Sequence, residues 1–280
     1  MFRTVLSVTS KASATLIAVG SFASVHAAIV TWDGSAGDGL WNTDANWTND
    51  TTPDTKPGVG DTVFISDGST VLFAANLSVP NLDITLSNNS TLNNNAGNLD
   101  MGAGITVTVE SGSTVGGADT WRARNFVFDD GAIASSAFDF VIRDVYSPDF
   151  TFNLGETGFT TLTPRRMLAW SGFATDMPGA TFAVDFENYN GGVQTIDLMD
   201  FGNALSLTDT QFQAATHSFT NLGDYEANLS FDETGDIIQL NITAVPEPSS
   251  AALIGLGAFA LILRRKGLIA AKRRCLMANE

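Results

Sequence analysis

Ile65-Ser66-Asp67-Gly68-Ser69-Thr70-Val71 is echoed by Leu86-Ser87-Asn88-Asn89-Ser90-Thr91-Leu92 and again by Val109-Glu110-Ser111-Gly112-Ser113-Thr114-Val115. A fourth copy, Phe128-Asp129-Asp130-Gly131-Ala132-Ile133, is one residue shorter before its aliphatic side chain. In all four, an apolar strand end precedes a Gly or Asn by three residues. These two residue types accept the left-handed backbone that a sharp corner demands. The corners at Gly68, Asn89, Gly112 and Gly131 recur at steps of 21, 23 and 19. Strand, corner and strand repeated at this period predict an all-β chain built as a β-solenoid (parallel β-helix-like), in which one coil cannot bury its apolar face alone. The alternative is an antiparallel β-sandwich whose hairpins are evenly spaced.

The flanking sequence supports strands throughout. Apolar residues fall at alternate positions in Leu82–Leu86, Ile105–Val109 and Phe182–Phe186, with Gly, Asn, Asp and Ser between such segments. The coils are assigned to residues 65–133. Residues 134–245 stay strand-like but lose the regular corner, and read as an irregular β-rich half, either further coils or a small packed sheet. Within it, Asp232-Glu233-Thr234-Gly235-Asp236 reads as a hairpin turn before the final strand, and Gln211–Ala215 as a helical turn.

Residues 28–64 have a different character. Trp32-Asp33-Gly34, Trp41-Asn42-Thr43-Asp44-Ala45-Asn46-Trp47 and Pro57-Gly58-Val59-Gly60-Asp61-Thr62-Val63-Phe64 together resemble the entry segment of autotransporter-associated β-strand repeat proteins and related exported solenoids. The resemblance implies an N-terminal aromatic cap over the first coil, which an exposed solenoid end requires. The competing use of these tryptophans is a platform for sugar rings.

Both ends carry addresses. Arg3 and Lys11 precede or open the small, apolar stretch Ala12–Phe22, and Val25-His26-Ala27 presents small or compact residues to signal peptidase, so residues 1–27 read as a signal peptide cleaved after Ala27, with Ala28 as the neighbouring choice. At the other end, Val245-Pro246-Glu247-Pro248 stops regular structure near Ala244, because proline lacks a backbone donor and restricts the residue before it. The uncharged apolar run 251–263 follows, and then Arg264-Arg265-Lys266. A bilayer core needs about 20 apolar residues, so this short transmembrane segment suits temporary insertion, with the basic cluster holding its end in the cytoplasm. The order of residues 246–266 resembles the PEP-CTERM sorting signal of exported proteins in Gram-negative bacteria that make extracellular polysaccharide. That resemblance implies an exosortase-like membrane transpeptidase as partner, with transient inner-membrane attachment before delivery to the cell surface or matrix. Residues 267–280 extend past the usual end of such signals as a basic cytoplasmic tail. An ordinary C-terminal anchor is the other reading of the tail.

Charge divides with these boundaries. Of 14 Lys and Arg, eight lie in the two ends, whereas 28 of the 30 acids lie between them, leaving the body with a net charge of −22. Such a field repels phosphate backbones, so nucleic acid is excluded as a partner, while neutral glycans, an extracellular polysaccharide and cations are compatible. The single cysteine, Cys275, lies in the tail, so the body contains neither disulfides nor thiol chemistry.

The sequence contains no recognisable catalytic constellation. His217 is the sole histidine of the body and sits in no motif. Acidic pairs occur at Asp129-Asp130, Asp232-Glu233 and Asp185 with Glu187, and two carboxylates serve glycoside hydrolysis only at a defined separation across a cleft. Arg122, Arg124, Arg165 and Arg166 are the candidates for a uronate clamp. Calcium is the cofactor with most support, through Asp33, Asp38 and Asp44 in a Gly-rich stretch and through Asp232–Asp236, though neither matches a twelve-residue calcium loop. The expectation is therefore a non-enzymatic, exported scaffold or adhesion protein without a required cofactor. The alternative is a polysaccharide lyase, a glycosidase or a glycan-binding module on the same fold.

Overall fold

The computed structural model describes residues 27–49, 55–74, 81–95, 99–100, 104–118, 120–122, 125–137, 139–142, 149–169, 180–202 and 208–245. All but the last residue of the signal-peptide assignment 1–27, the apolar span 251–263 and the tail 267–280 lie outside these residues.

Strands β1 (Ile29–Trp32) and β2 (Trp47–Asn49) open the fold. Then follow β3 (Thr62–Ile65) and β4 (Thr70–Phe73); β5 (Asp83–Leu86), β6 (Thr91–Asn94) and β7 (Leu99–Asp100); β8 (Thr106–Val109), β9 (Thr114–Gly117) and β10 (Thr120–Arg122); and β11 (Asn125–Asp129), β12 (Ile133–Ala134) and β13 (Asp139–Ile142). The second half contains β14 (Asp149–Asn153), β15 (Arg166–Ala169), β16 (Thr181–Asp185), β17 (Gln194–Asp200), the helix α1 (Asp209–Gln213), β18 (Thr216–Thr220), β19 (Tyr225–Asp232) and β20 (Ile237–Ala244).

No repeat pairs its own strands with one another; each pairs with the equivalent strand of the next. The first sheet runs β2-β1-β3-β5-β8-β11-β14-β16-β18, parallel everywhere except β1 with β2. A second parallel sheet runs β4-β6-β9-β12 and a third β7-β10-β13-β15. Parallel neighbours cannot be joined by hairpins, so the antiparallel sandwich does not describe these strands. The parallel register also continues past residue 133, through β14, β16 and β18. The other expected form of the second half is present beside it, as the antiparallel sheet β17-β20-β19. Its β19–β20 hairpin closes through the turn read from Asp232–Asp236.

Register decides what is buried. Val63, Ile84, Val107, Phe126, Phe150 and Phe182 form one inward row of the first sheet, and Ile65, Leu86, Val109, Phe128, Phe152 and Val184 the next, all at most 1% exposed. With a side-chain period of two and no slip between repeats, every repeat turns the same face inward. The second sheet opposes these rows with Val71, Leu92, Val115 and Ala134, all buried.

The corners take the predicted geometry. Gly68, Asn89, Gly112 and Gly131 have φ of 70°, 62°, 77° and 83°. Each turn is closed by a backbone hydrogen bond, from Ser69 to Ser66, Ser90 to Ser87, Ser113 to Glu110 and Ala132 to Asp129. Gly112 has a second reason to be glycine: a Cβ there would meet Asn89 Oδ1 of the preceding corner at 2.3 Å.

The entry segment covers the N-terminal end. Trp41 and Trp47 are fully buried and edge-on at 4.6 Å, and Trp41 rests on Phe73 at 4.6 Å. Their faces are occupied by protein, which removes them as a sugar platform. At the far end α1 buries Phe212 against Phe182 at 5.0 Å, and a capping box between Thr208 and Gln211 fixes its start.

Gly112→Ala is expected to lower stability by about 1–3 kcal/mol, because it combines a left-handed backbone with a stacked neighbour. Chemical denaturation of the isolated body measures it, and an unchanged midpoint would contradict the stacking role of the corner.

Candidate functional site

Constant register also assembles a site. Asp129, Asn153 and Asp185 end equivalent strands and stand in one row, Asp129 opposite Asn153 and Asn153 opposite Asp185. Two strand spacings separate the outer two, about 9–10 Å along the sheet. The acidic pairs Asp129-Asp130 and Asp185 with Glu187 thereby line one cleft of about 410 Å³, together with Asn153, Leu154, Gly155 and Asn188. A second hollow of about 390 Å³ adjoins it across Asp130 and includes Thr157, Thr160, Gln194 and Asp197. The third acidic pair, Asp232-Glu233, lies apart in the β19–β20 turn.

The carboxylates are held in place by neutral donors. Asn153 Nδ2 donates to Asp129 Oδ1 at 2.8 Å, and the Thr160 amide and hydroxyl donate to Asp130 Oδ1 at 2.8 and 2.9 Å. The Glu187 amide and Asn221 Nδ2 donate to Asp185 Oδ1 at 2.9 and 2.7 Å. Among the described residues, neither hollow has Lys, Arg or His in its lining. Asp129 and Asp185 rise from the same sheet, on either side of Asn153. What the arrangement offers is a row of acceptors and amides suited to hydroxyl-rich or cationic groups.

The remaining described candidates do not converge on this cleft. Arg165 and Arg166 both bind Asp139, with Arg165 Nε to Oδ1 at 2.7 Å and Arg166 Nε to Oδ2 at 3.0 Å. Asp139 is 1% exposed. Burial alone would raise its pKa, but the hydrogen bonds and charges of the two guanidinium groups prevail and hold it below the ordinary carboxylate value. Nothing in the sequence pattern of β13 flags Asp139; its pairing opposite Arg166 is a product of register. The Arg122 side chain and Arg124 lie outside the described residues. His217 sits against Phe212 at 4.7 Å, its Nε2 lies 3.2 Å from the Phe212 carbonyl, and burial depresses its pKa.

The acids proposed for calcium organise loops. Asp33 accepts from Thr48 Oγ1 at 2.6 Å and the Ser35 amide at 2.8 Å, and Asp38 from Thr43 Oγ1 and Asn46 Nδ2, both at 2.6 Å. These bonds lower both pKa values. Asp44 accepts separately from the Lys56 amide at 3.0 Å. Among the described residues, no three His, Cys, Asp or Glu side chains gather as a metal site. Asp236 is different: it is 3% exposed, its Oδ1 has no partner, and burial followed by the charges of Asp200 and Asp232 pushes its pKa up.

The two expected processing junctions are partly described. Ala27 is exposed, while the Ala28 amide donates to Asp61 Oδ1 at 2.9 Å and its carbonyl accepts from Thr62. Strand β20 ends at Ala244, as the following proline predicts, and the exposed Val245 makes one further bond, from its amide to the Asp224 carbonyl at 2.9 Å. Pro246, Glu247, Pro248, Arg264, Arg265 and Lys266 lie beyond the described residues. Among those described, no helix is long and apolar enough to cross a membrane.

Residues 244–266 match the PEP-CTERM protein-sorting motif. This motif marks an exported protein that is handled by an exosortase, a membrane protein, and is anchored transiently before reaching the surface or the exterior. The match begins on the last residue of β20, so the address is joined to the folded body without a spacer. No curated protein and no solved structure matches the chain.

Asp139 and Asp236 should respond to acid with opposite signs. The lowered pKa of Asp139 contributes stability above the ordinary carboxylate value of 3.8, lost as pH falls through the folded-state pKa. Asp139→Ala should therefore cost about 1–2 kcal/mol at pH 7, with allowance for the half-exposed arginines, and less in acid. The raised pKa of Asp236 works the other way: stability is gained as pH falls through that pKa toward 3.8. Asp236→Asn, which tolerates the φ of 55°, should raise the melting temperature at pH 7, with the advantage shrinking in acid. Melting curves between pH 3 and 7 test both signs.

Proposed function

We propose that this chain is a non-enzymatic scaffold or adhesion protein of the extracellular polysaccharide matrix, its body a β-solenoid comparable to autotransporter-associated β-strand repeat proteins. The observation that carries the reading is the direct junction between the last strand of an acidic, parallel-sheet body and a PEP-CTERM motif. Support for the solenoid comes from successive repeats contributing in turn to three parallel sheets. Support for a structural role comes from the engagement of the reactive groups: the two arginines with Asp139, and His217 within an aromatic cluster.

Processing fits the N-terminal geometry. Cleavage after Ala27 converts the Ala28 amide into an ammonium group already 2.9 Å from Asp61 Oδ1, so the carboxylate exchanges a neutral donor for a charged one and an ion pair closes β1 onto β3.

A second reading is favoured by the acidic cleft, whose acceptors and amides suit a hydroxyl-rich glycan. Incubating the purified body with neutral and acidic polysaccharides separates the readings. The scaffold reading expects no released product, with retention on a matrix polymer at most. Reducing-end release would overturn it in favour of an enzyme, and retention abolished by Asp129→Ala with Asp185→Ala would assign binding to the cleft. Mass measurement of the secreted protein is expected to give a start at Ala28 and to lack Cys275; retention of Cys275 would defeat the sorting interpretation.

A further inference from the structure

Among the described residues, the tip of β20 is bonded on one side only. Ile242 pairs with Gln194 of β17 and with Ala227 of β19, whereas Thr243 and Ala244 pair only with Glu226 and Tyr225 of β19. Val245 adds the single bond to Asp224. The core ends at the same place: Ile242 is 2% exposed, while Thr243, Ala244 and Val245 are all exposed. An exposed strand end with one neighbour and no buried side chain belongs to the class of structure that opens locally without global unfolding. The sorting motif begins inside this tip, since Ala244 and Val245 are its first two residues.

We infer that residues 243–245 form a releasable clasp, and that peeling them from β19 controls the access of the membrane transpeptidase to the Pro-Glu-Pro element. The inference rests on the processing reading above. Its physical basis is reach. With the clasp closed, the chain from Val245 to the first residue of the apolar run, Ala251, spans at most about 20 Å. Opened back to Ile242, the same connection spans about 30 Å. The closed clasp therefore holds a folded, strongly acidic body against the bilayer surface at the place where the enzyme must bind an extended peptide. Opening it frees both the clearance and the backbone groups of Ala244 and Val245, and leaves the core through Ile242 in place.

The test uses the full chain in a host that makes an exosortase, with the tail Cys275 changed to Ser. Tyr225→Cys combined with Ala244→Cys places cysteines on directly paired residues, a spacing that a disulfide accommodates. A second variant inserts about four Gly and Ser residues between Val245 and Pro246, lengthening the connection without touching the body. The fraction of processed protein is followed by mass over time. The expected result is loss of processing in the cross-linked variant, recovery when the insert is added, and faster processing when the insert is placed in the parent. Equal processing rates for parent, cross-linked and inserted chains would overturn the clasp while leaving the sorting reading intact. Should the cross-link not form, the inserted chain decides alone: a rate equal to the parent's overturns the inference. Absence of processing in every chain, parent included, would overturn the sorting reading and the clasp with it.

Discussion

The fold depends on one constraint, the unbroken parallel register of the first sheet. A slip by one residue between any two neighbouring strands would turn a row of Val, Ile, Leu and Phe toward water. Because the register holds from β3 to β16, the inward rows stay continuous while their side chains change. They are aliphatic in β3, β5 and β8, and phenylalanine at both inward positions of β11 and β14. The facing row is Val71, Leu92 and Val115 and narrows to Ala134 opposite the phenylalanines of β11, so the larger inward rings there meet a smaller side chain. The larger rings also make a connected path. It runs from Trp32 through Trp47, Trp41, Phe73, Trp121, Phe126, Phe150 and Phe182 to Phe212 and Phe231, every step between 4.6 and 6.3 Å. The covers at the two ends are thus parts of the same core.

What could be read from sequence follows from whether the signal is local. A corner is a local event: a Gly or Asn three residues after an apolar strand end states its own backbone requirement, and Gly68, Asn89, Gly112 and Gly131 adopt it. The end of β20 is local too, because Pro246 acts on its neighbour. The second half lost its corner signal because the loops after β14 and β16 are longer and leave the turn pattern, although the strands keep their register. The acidic cleft could be read only in pieces. Asp129-Asp130 and Asp185 with Glu187 are visible as pairs, but their meeting depends on β14 lying between β11 and β16. Asp139 has no local signal for the same reason, and the role of Asp61 depends on its contact with Ala28, 33 residues away in the chain.

Electrostatics and export fit together physically. A body with a net charge of −22 repels its own copies and anionic surfaces, which favours solubility over a membrane during transit. Two of its arginines are structural inside that field: Arg165 and Arg166 neutralise a buried carboxylate and pin the third sheet where β13 meets β15. The loop acids near the tryptophans are likewise consumed in hydrogen bonds that shape the entry segment.

The place of β20 in its sheet has a temporal meaning. It is the last of the described strands, yet it lies in the middle, between β17 and β19. Neither neighbour can complete its ladder until the residues just before the sorting motif have crossed the membrane. A polypeptide emerging N-terminus first would stack its parallel repeats early and gain its closing sheet last, at the moment its address arrives. Completion of the body and arrival of its tail are thereby the same event, and a truncated chain lacks both the strand that closes the sheet and the means of being sorted.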